Sequence, residues 1–280
     1  MTAPAGTHAR EVARGERFEF GENWAEFLRL LDERRISSAI QALEAMLGRA
    51  QLAGKRFLDI GSGSGLSSLA AWRLGAEVTS FDYDPASVAC TLELRRRFAA
   101  GAESRWRVME GSALDPQFLS SLGTFDVVYS WGVLHHTGEM WRALELASQR
   151  VIPGGRLFIA IYNDQGAWSP RWRKIKRFYC TGIVGRWLVS VVFISRWIVR
   201  DLLADLVWRR NPLARYRGYG EQRGMSVWHD WRDWLGGYPF EFAKPEAIFD
   251  FYRARGFELR RLTTNGGTVG CNEYVFERET

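Results

Sequence analysis

The 280-residue sequence has few of the residues that hold metals or form covalent cross-links. It contains three cysteines (Cys90, Cys180 and Cys271) and four histidines, and no metal-ligand spacing joins them. This scarcity excludes the disulfide framework of a small secreted protein, and we predict no metal site. The first twenty residues also lack the apolar core of a signal peptide, so we expect a cytoplasmic chain.

Lysine and long apolar runs are scarce as well. Only four of the 38 basic residues are lysines, and residues 170–217 hold twelve basic residues against two aspartates. This local positive charge favours an anionic small molecule or an anionic membrane surface as a partner, and it disfavours a general binder of nucleic acids. The longest uncharged run in the apolar segment Ile183–Trp208 is about half the length of a transmembrane helix.

Segments typical of strands and of helices alternate along the chain, which predicts an α/β fold with a parallel sheet and right-handed crossovers. Strands are predicted at residues 56–60, 77–81, 106–109, 125–131, 155–162, 257–263 and 273–277. Helices are predicted at residues 66–74, 85–97, 140–151 and 245–255. Before the first strand we expect a polar, partly disordered arm over residues 1–20 and one or two helices over residues 24–47.

The strongest functional signal is the turn after the first strand, where Asp59 is followed by Gly61, Ser62, Gly63 and Gly65. Glycines in such a turn permit positive φ angles and let the backbone approach a ligand closely. The helix that follows offers free N–H groups to a negatively charged group. The third glycine comes one residue too early for the dinucleotide fingerprint, which disfavours an NAD-linked oxidoreductase.

A second carboxylate, Asp82, ends the next strand. It comes about twenty residues after the turn, where nucleotide-binding α/β folds hold a ribose diol. Two carboxylates at the ends of two neighbouring strands favour a bound nucleotide-like ligand over a purely structural turn.

At these residues the chain resembles the class I S-adenosylmethionine (SAM)-dependent methyltransferases, whose first motif is D-x-G-x-G-x-G. The resemblance runs from about Gly54 to Tyr162 and includes the last two strands. Within the family it is similar to small-molecule O- and C-methyltransferases such as those of quinone biosynthesis. It implies a seven-stranded, mostly parallel, doubly wound, Rossmann-like sheet with the last strand antiparallel. It also implies SAM as the cofactor and S-adenosylhomocysteine (SAH) as its product.

The resemblance further implies roles for individual residues. Asp59 and the glycine turn would hold the amino-acid part of SAM, and Asp82 would bind the ribose hydroxyls. Tyr83 would stack beside the adenine. Ser112 and Ala113 fall where the family often has Asp-Ala, so a serine hydroxyl would be the weaker acceptor for the adenine amine.

Methyl transfer to a hydroxyl needs an aligned acceptor and a group that removes a proton. The resemblance places the end of the fourth strand, at Trp131, beside the methyl donor, and His135 and His136 follow directly. An imidazole is suited to act as a base near neutral pH, and His136 is the first candidate. Tyr162, at the end of the fifth strand, and His229, in a tryptophan-rich segment, are further candidates. A helix cap or a packed interface is the structural alternative for each of them.

The predicted parts of the chain are an N-terminal arm with helices (1–53), a SAM-binding core (54–163), a helical, basic, tryptophan-rich insertion (164–243), and a helix and strand pair that complete the core (244–280). The insertion is predicted to form a lid or an acceptor site, with a loop over residues 225–240. Residues 171–208 combine a basic stretch with an amphipathic helix. This segment either contacts a membrane peripherally, covers the sheet edge or forms a homodimer contact.

We therefore predict a SAM-dependent methyltransferase that acts, at oxygen, on a small-molecule or lipid-linked acceptor, which the tryptophan-rich and basic insertion suggests is aromatic or anionic. Two alternatives stay open. One is an RNA or protein methyltransferase, although Ser130-Trp131-Gly132-Val133 stands where amine methyltransferases carry their signature. The other is a non-catalytic SAM-binding or membrane-associated scaffold protein.

Overall fold

The computed structural model describes residues 6–21, 24, 28–29, 31–48, 52–208, 227–266 and 269–280, without the side chains of residues 102, 227–230 and 233. The strands are β1 (Arg56–Ile60), β2 (Glu77–Asp82), β3 (Trp106–Glu110), β4 (Phe125–Trp131), β5 (Val151–Tyr162), β6 (Phe257–Thr263) and β7 (Cys271–Arg278). The α-helices with described bounds are α1 (Thr7–Ala13), α2 (Glu33–Leu47), α3 (Leu66–Arg73), α4 (Pro85–Phe98), α5 (Pro116–Ser121), α6 (Met140–Ser148), α7 (Trp168–Cys180), α8 (Ile183–Val207), α9 (Val227–Gly236) and α10 (Pro245–Arg253).

These strands form one sheet in the order β3-β2-β1-β4-β5-β7-β6. β1 pairs in parallel with β2 and β4, and β4 pairs in parallel with β5, whereas β7 runs antiparallel to β5 and β6. The predicted fold class, a mostly parallel doubly wound sheet with the last strand antiparallel, is confirmed. The strand order reverses between β1 and β4, so the carboxyl ends of these strands border the crevice where open α/β sheets bind ligands.

Both faces of the sheet are buried, which explains why β1 is apolar at successive positions. Leu58 and Ile60 point into one core cluster, which also contains Leu144 of α6. Phe57 points to the opposite face and packs in a second cluster with Leu69 of α3. The rigid β1 strand therefore fixes the position of the turn that follows it.

The N-terminal segment differs from the prediction of a polar, partly disordered arm. Residues Thr7–Ala13 form α1, and His8 and Phe18 are buried. Phe18 packs edge-to-face on Phe20 and also contacts Tyr179 of α7. The prediction was wrong because apolar and aromatic residues are sparse here, and their packing partners lie far away in the sequence.

The insertion is helical, as predicted, but residues 225–240 are not a loop throughout. Val227–Gly236 forms α9, whose Trp231 contacts Trp197 of α8 and whose Trp234 contacts Trp172 of α7. The large side chains recur at helical spacing, which outweighs the loop signal of the glycines at its end. Among the described residues, no helix is long and apolar enough to cross a membrane.

Candidate functional site

The turn between β1 and α3 is held open by glycines with positive φ. Gly61, Gly63 and Gly65 have φ angles of 77°, 54° and 80°. The amides of Gly61 and Ser62 both donate to the carbonyl of Phe81 in β2, at 2.9 and 3.0 Å. The turn is therefore anchored to the neighbouring strand by its own backbone.

The turn also touches the loop after β4. A Cβ atom on Gly61 would lie 2.3 Å from Cγ1 of Val133, and Val133 immediately precedes the turn Leu134–His136. The structure thus brings the predicted cofactor turn and the two predicted histidines to one place, at the carboxyl ends of β1 and β4.

Asp59 lies inside the fold rather than at its surface. Its Oδ2 atom accepts a 2.5 Å hydrogen bond from the Ser68 hydroxyl, which also lies 2.6 Å from the hydroxyl of Ser80. The indole of Trp106 donates to Ser80 at 2.8 Å and completes a buried polar chain. Burial raises the pKa of Asp59 to about 7, the Ser68 bond opposes the rise, and the nearby charge of Asp82 adds to it. A contact between Asp59 and the amino-acid part of SAM stays a prediction.

Asp82 links β2 to the glycine turn. Its Oδ2 atom accepts from the amide of Gly63 and its Oδ1 atom from the amide of Asp84, both at 2.9 Å. Burial raises the pKa of Asp82 to about 6, while these amide donors oppose the rise. The carboxyl group is positioned beside the turn, and its contact with a ribose diol stays a prediction.

The other predicted cofactor residues follow β2 and β3. The Tyr83 ring is half-buried, with the His8 ring edge-on at 5.5 Å and the Arg17 guanidinium 4.9 Å from its centre. The Ser112 hydroxyl accepts from the amide of Leu114 at 3.1 Å. Ala113, next to Ser112, is buried in the core.

Trp131 ends β4 at the same edge of the sheet. Its indole N–H donates to Oε1 of Glu273 in β7 at 3.0 Å. The bond crosses β5, which lies between these two strands in the sheet. Like the cofactor contacts of Tyr83, Ser112 and Ala113, a role for Trp131 beside the methyl donor stays a prediction.

His135, His136 and Tyr162 form one aromatic group, which we call the strand-end cluster together with Trp234 and Phe240. Tyr162 lies at its centre, with ring centroids 3.9 Å from His135 and 5.2 Å from His136. Trp234 and Phe240 of the insertion lie 5.0 and 5.2 Å from the same ring. The structure therefore unites three of the four predicted catalytic candidates.

The two histidines are buried and differ in their hydrogen bonds. Nδ1 of His136 lies 2.6 Å from the carbonyl oxygen of Pro239, which can only accept, so Nδ1 carries the proton and Nε2 carries a lone pair. Burial lowers the pKa of His136 to about 3, despite that bond, and burial also lowers the pKa of His135. His135 accepts from the amide of Tyr162 through Nδ1 at 3.4 Å. Both imidazoles are therefore neutral at physiological pH.

The cluster contains a cation that the sequence analysis missed. Lys176 of α7 is fully buried, and its ammonium group donates to the carbonyl oxygen of Trp234. The ammonium nitrogen lies 4.2 Å from the Trp234 ring centre, 4.9 Å from that of Phe240 and 5.5 Å from that of Tyr162. A lysine in a basic stretch gives no sequence signal for such burial. His229 belongs to α9, but its side chain lies outside the described part of the structure.

The N-terminal segment covers the site, which the sequence analysis also missed. The amide of Gly21 donates to Oδ2 of Asp84 at 2.7 Å, and the Trp24 indole lies 3.0 Å from where a Cβ of Gly63 would be. Arg17 donates to the carbonyl of His136 at 2.9 Å. Aromatic residues in a polar arm are the one sequence signal that could have indicated this contact.

Metal ligands are not grouped here. In the chain segments that the structure describes, no three histidine, cysteine or acidic side chains come together in a way that could hold a metal ion.

Comparisons with known proteins agree with this geometry. A family model described as a methyltransferase domain matches residues 58–159, which include the glycine turn, Asp82 and both histidines after β4. Ubiquinone biosynthesis O-methyltransferase of Xanthomonas euvesicatoria is 32% identical over 121 residues, which is 43% of this chain and 48% of that protein. The enzyme of the same name from Nitrosococcus oceani is 32% identical over 128 residues, 43% of this chain and 49% of that protein. The chain thus spans about half the length of these curated relatives.

Solved structures share the fold. The magnesium protoporphyrin IX methyltransferase of Synechocystis PCC 6803, with bound SAH, superimposes with a TM-score of 0.50 at 15% identity, over 87% of this chain and 82% of that one. The cyclase SpnF superimposes with a TM-score of 0.52 at 13% identity, over 86% and 80%. The chain therefore shares its Rossmann-like fold with a SAH-bound methyltransferase, and its residues 58–159 are similar to a methyltransferase domain, as the sequence predicts.

Proposed function

We propose that this protein transfers the methyl group of SAM to a hydroxyl oxygen of a small-molecule or lipid-linked acceptor. One observation carries the proposal: the glycine turn after β1 lies against Val133, which places a backbone cradle next to the histidines that follow β4. A ligand held at the turn would have its reactive end within reach of the strand-end cluster.

The residues present fit SAM. Side chains at Gly61 and Gly65 would collide with Val133 and Thr91, so only glycine fits these two positions of the turn. The turn and the start of α3 would hold the amino-acid part, and Asp82 would accept hydrogen bonds from the ribose hydroxyls. Tyr83 would lie beside the adenine.

SAM supplies a methyl group on a positively charged sulfur, which leaves as the neutral thioether of SAH when an oxygen lone pair attacks the methyl carbon. The protein must align the acceptor and remove the hydroxyl proton. His136 is the proposed base, because the Pro239 carbonyl fixes its Nδ1–H form and leaves the Nε2 lone pair for that proton. Its pKa of about 3 keeps the Nε2 lone pair unprotonated over the whole physiological pH range, and it also makes the ring a weak base that holds the transferred proton only briefly.

The composition of the strand-end cluster supports an aromatic or anionic acceptor. Tyr162, Trp234 and Phe240 offer flat apolar walls, and the Lys176 ammonium group among them would stabilise a negative charge. The names of the relatives, which are O-methyltransferases of ubiquinone biosynthesis, support transfer to oxygen. We also propose a cytoplasmic location, which fits a sequence with three scattered cysteines and no disulfide framework of a secreted protein.

Two measurements test the proposal. Calorimetry should show micromolar or tighter binding of SAM and SAH and no comparable binding of NAD. Incubation with methyl-labelled SAM and fractionated cell extract should then transfer label to a small or lipid-soluble compound, which mass spectrometry would identify as a methyl ether.

Each alternative has its own outcome. Labelled tRNA or protein would support the nucleic-acid or protein methyltransferase, and the binding of tRNA should then fall steeply with salt. SAM binding without transfer to any fraction would support the non-catalytic protein. Either result would overturn the proposed acceptor class.

A further inference from the structure

The long helix α8 buries one face and leaves an apolar face uncovered. Its inner face carries Gly185 and Val189, which are buried, and Phe193, which contacts Trp172 of α7 at 5.0 Å. The outer face carries large apolar side chains that are at least 40% exposed: Val184, Leu188, Val191, Val192, Val199, Leu202, Leu203 and Leu206. We call these eight residues the apolar stripe.

The stripe runs the length of the helix. At 1.5 Å per residue, the 25 residues of α8 extend for roughly 37 Å. Exposed tryptophans stand near both ends of the stripe, Trp187 at 62% exposure and Trp208 at 71%. Tryptophan side chains, with an apolar ring and a polar N–H, are typical of the boundary between water and lipid.

Cations flank the stripe. Arg196 and Arg200 are exposed at one edge of it, by their positions around the helix. Lys174 and Arg177, also exposed, lie on α7, whose end touches the start of α8: a Cβ on Gly185 would be 2.2 Å from the Phe178 carbonyl oxygen. The only acidic residues of α8 are Asp201, which forms a 2.8 Å ion pair with Arg200, and Asp205, which is buried.

We propose that α8 docks this protein on an anionic lipid surface, with the helix lying in the plane of the membrane and the apolar stripe inserted among the lipid chains. An amphipathic helix with apolar residues on one side and cations beside them binds in this way, through buried apolar area and attraction to anionic headgroups. The helix does not span the bilayer.

Charge favours a lipid surface over a second copy of the chain. A two-fold interface would bring the same face together with itself, so the flanking arginines and lysines of both copies would share one contact. An anionic membrane instead places negative charge beside every one of these cations.

The docking surface is connected to the proposed site by aromatic contacts. Phe193 on the inner face of α8 contacts Trp172, which lies 5.5 Å from Trp234, and Trp234 lies 5.0 Å from Tyr162. A docked α8 would therefore hold the strand-end cluster close to the lipid surface. If the proposed function holds, this position would suit an acceptor that is itself dissolved in the membrane.

Vesicle binding tests the proposal without reference to enzyme activity. The full chain is sedimented with vesicles of phosphatidylcholine alone, and with vesicles in which roughly one-third is phosphatidylglycerol. We expect binding to the anionic vesicles at least tenfold tighter than to the neutral ones, and weaker binding as NaCl rises from about 0.1 M to about 1 M.

Two double variants address the two components of the surface. Val192→Glu with Leu203→Glu places charge in the stripe at exposed positions and should lower the affinity for anionic vesicles at least tenfold. Lys174→Gln with Arg196→Gln should lower it by about fivefold for each cation removed. The matched controls, Leu92→Glu on α4 and Arg253→Gln on α10, change exposed residues elsewhere and should bind as the unaltered chain does.

The outcomes separate the lipid surface from other occupants. No binding to anionic vesicles, or equal binding by the stripe variant, would overturn the proposal. Sedimentation velocity showing a dimer that Val192→Glu with Leu203→Glu converts to a monomer would assign the stripe to a second copy instead. SAM affinity, measured in parallel, should be unchanged in all variants, so a failure of the proposed function would be recognised separately.

Discussion

Gly61 and Val133 lie in direct contact, although they belong to turns that follow two different strands. A Cβ on Gly61 would be 2.3 Å from Cγ1 and 2.6 Å from Cγ2 of Val133, a distance that side chains do not tolerate. This contact joins the proposed cofactor turn to the segment that carries His135 and His136. Any side chain at position 61 must therefore displace one of the two turns.

The first prediction concerns this contact. Gly61→Ala should weaken SAM binding at least tenfold, because the added methyl group pushes the glycine turn and the Val133 loop apart. Adding Val133→Ala to the variant removes the colliding atoms and should restore part of the affinity, which calorimetry on the four proteins of the cycle would measure.

A control separates the collision from backbone strain. Gly166 also has a positive φ, 59°, but a Cβ there would meet nothing within 4 Å. Gly166→Ala therefore incurs the conformational cost alone and should leave SAM affinity unchanged. Unchanged affinity in Gly61→Ala would contradict the assignment of the turn.

The second prediction concerns the pH dependence of cofactor binding. The pKa of Asp82 is raised to about 6, so its carboxyl group is charged above that pH and protonated below it. A protonated carboxyl is a poorer acceptor for ribose hydroxyls, so SAH affinity should fall as pH drops from about 7 to about 5. Asp82→Asn should bind SAH at least tenfold more weakly at pH 7 and lose this dependence.

The SAH affinity of the unaltered chain is compared with that of Asp82→Asn at each pH. Any titration of SAH itself affects both proteins equally and cancels in the difference. Asp250→Asn serves as the control, because the Asp250 carboxylate is exposed on α10 and no cofactor contact is assigned to it. A pH profile that is the same in the unaltered chain and in Asp82→Asn would show that this carboxyl does not bind the cofactor.

The third prediction concerns stability. Because burial raises the pKa of Asp59 from 3.8 to about 7, its contribution to the free energy of unfolding is fully present below about pH 4 and is lost as pH rises through 7. The loss is at most about 1.4 kcal/mol per pH unit. Asp59→Asn removes this titration. The free energy of unfolding of the variant, relative to that of the unaltered chain, should therefore rise with pH between about 4 and 7.

Urea unfolding of both proteins across that range measures the difference. His136 acts in the opposite direction, since its pKa is lowered to about 3 and it destabilises the fold as pH falls below 6.5. The difference between the two proteins isolates Asp59, which the curve of the unaltered chain cannot do. A difference that stays constant with pH would mean that Asp59 is ionised in the fold.

The core of this fold follows from local sequence patterns. β1 and β4 have the predicted bounds, Arg56–Ile60 and Phe125–Trp131, because buried strands are short apolar or alternating runs between turns. The glycine turn and Asp82 are also recognisable from local sequence patterns. The backbone of the turn requires glycine, and Asp82 stands at the end of a predicted strand.

The rest of the site depends on contacts between distant parts of the chain. Gly21 binds Asp84 across 63 residues, and Lys176 binds the backbone of Trp234 across 58. No local sequence pattern predicts either contact. The burial of Lys176 was missed because a lysine in a basic stretch is usually exposed, whereas here the Trp234 carbonyl and the surrounding aromatic rings stabilise its ammonium group.

The last prediction concerns the proposed base. His136→Ala should lower methyl transfer by about a hundredfold or more, because the hydroxyl proton of the acceptor then has no positioned group to receive it. The SAM dissociation constant should change by less than about threefold, since His136 is assigned to the acceptor and not to the cofactor. Added imidazole should restore part of the lost rate by entering the cavity that the variant creates, a result that a structural histidine would not give.

The rate of the unaltered enzyme should also show no step near pH 6.5 from this residue, because burial holds the pKa of His136 at about 3. His135→Ala provides the comparison: a larger loss there, with imidazole rescue, would transfer the role to the neighbouring ring.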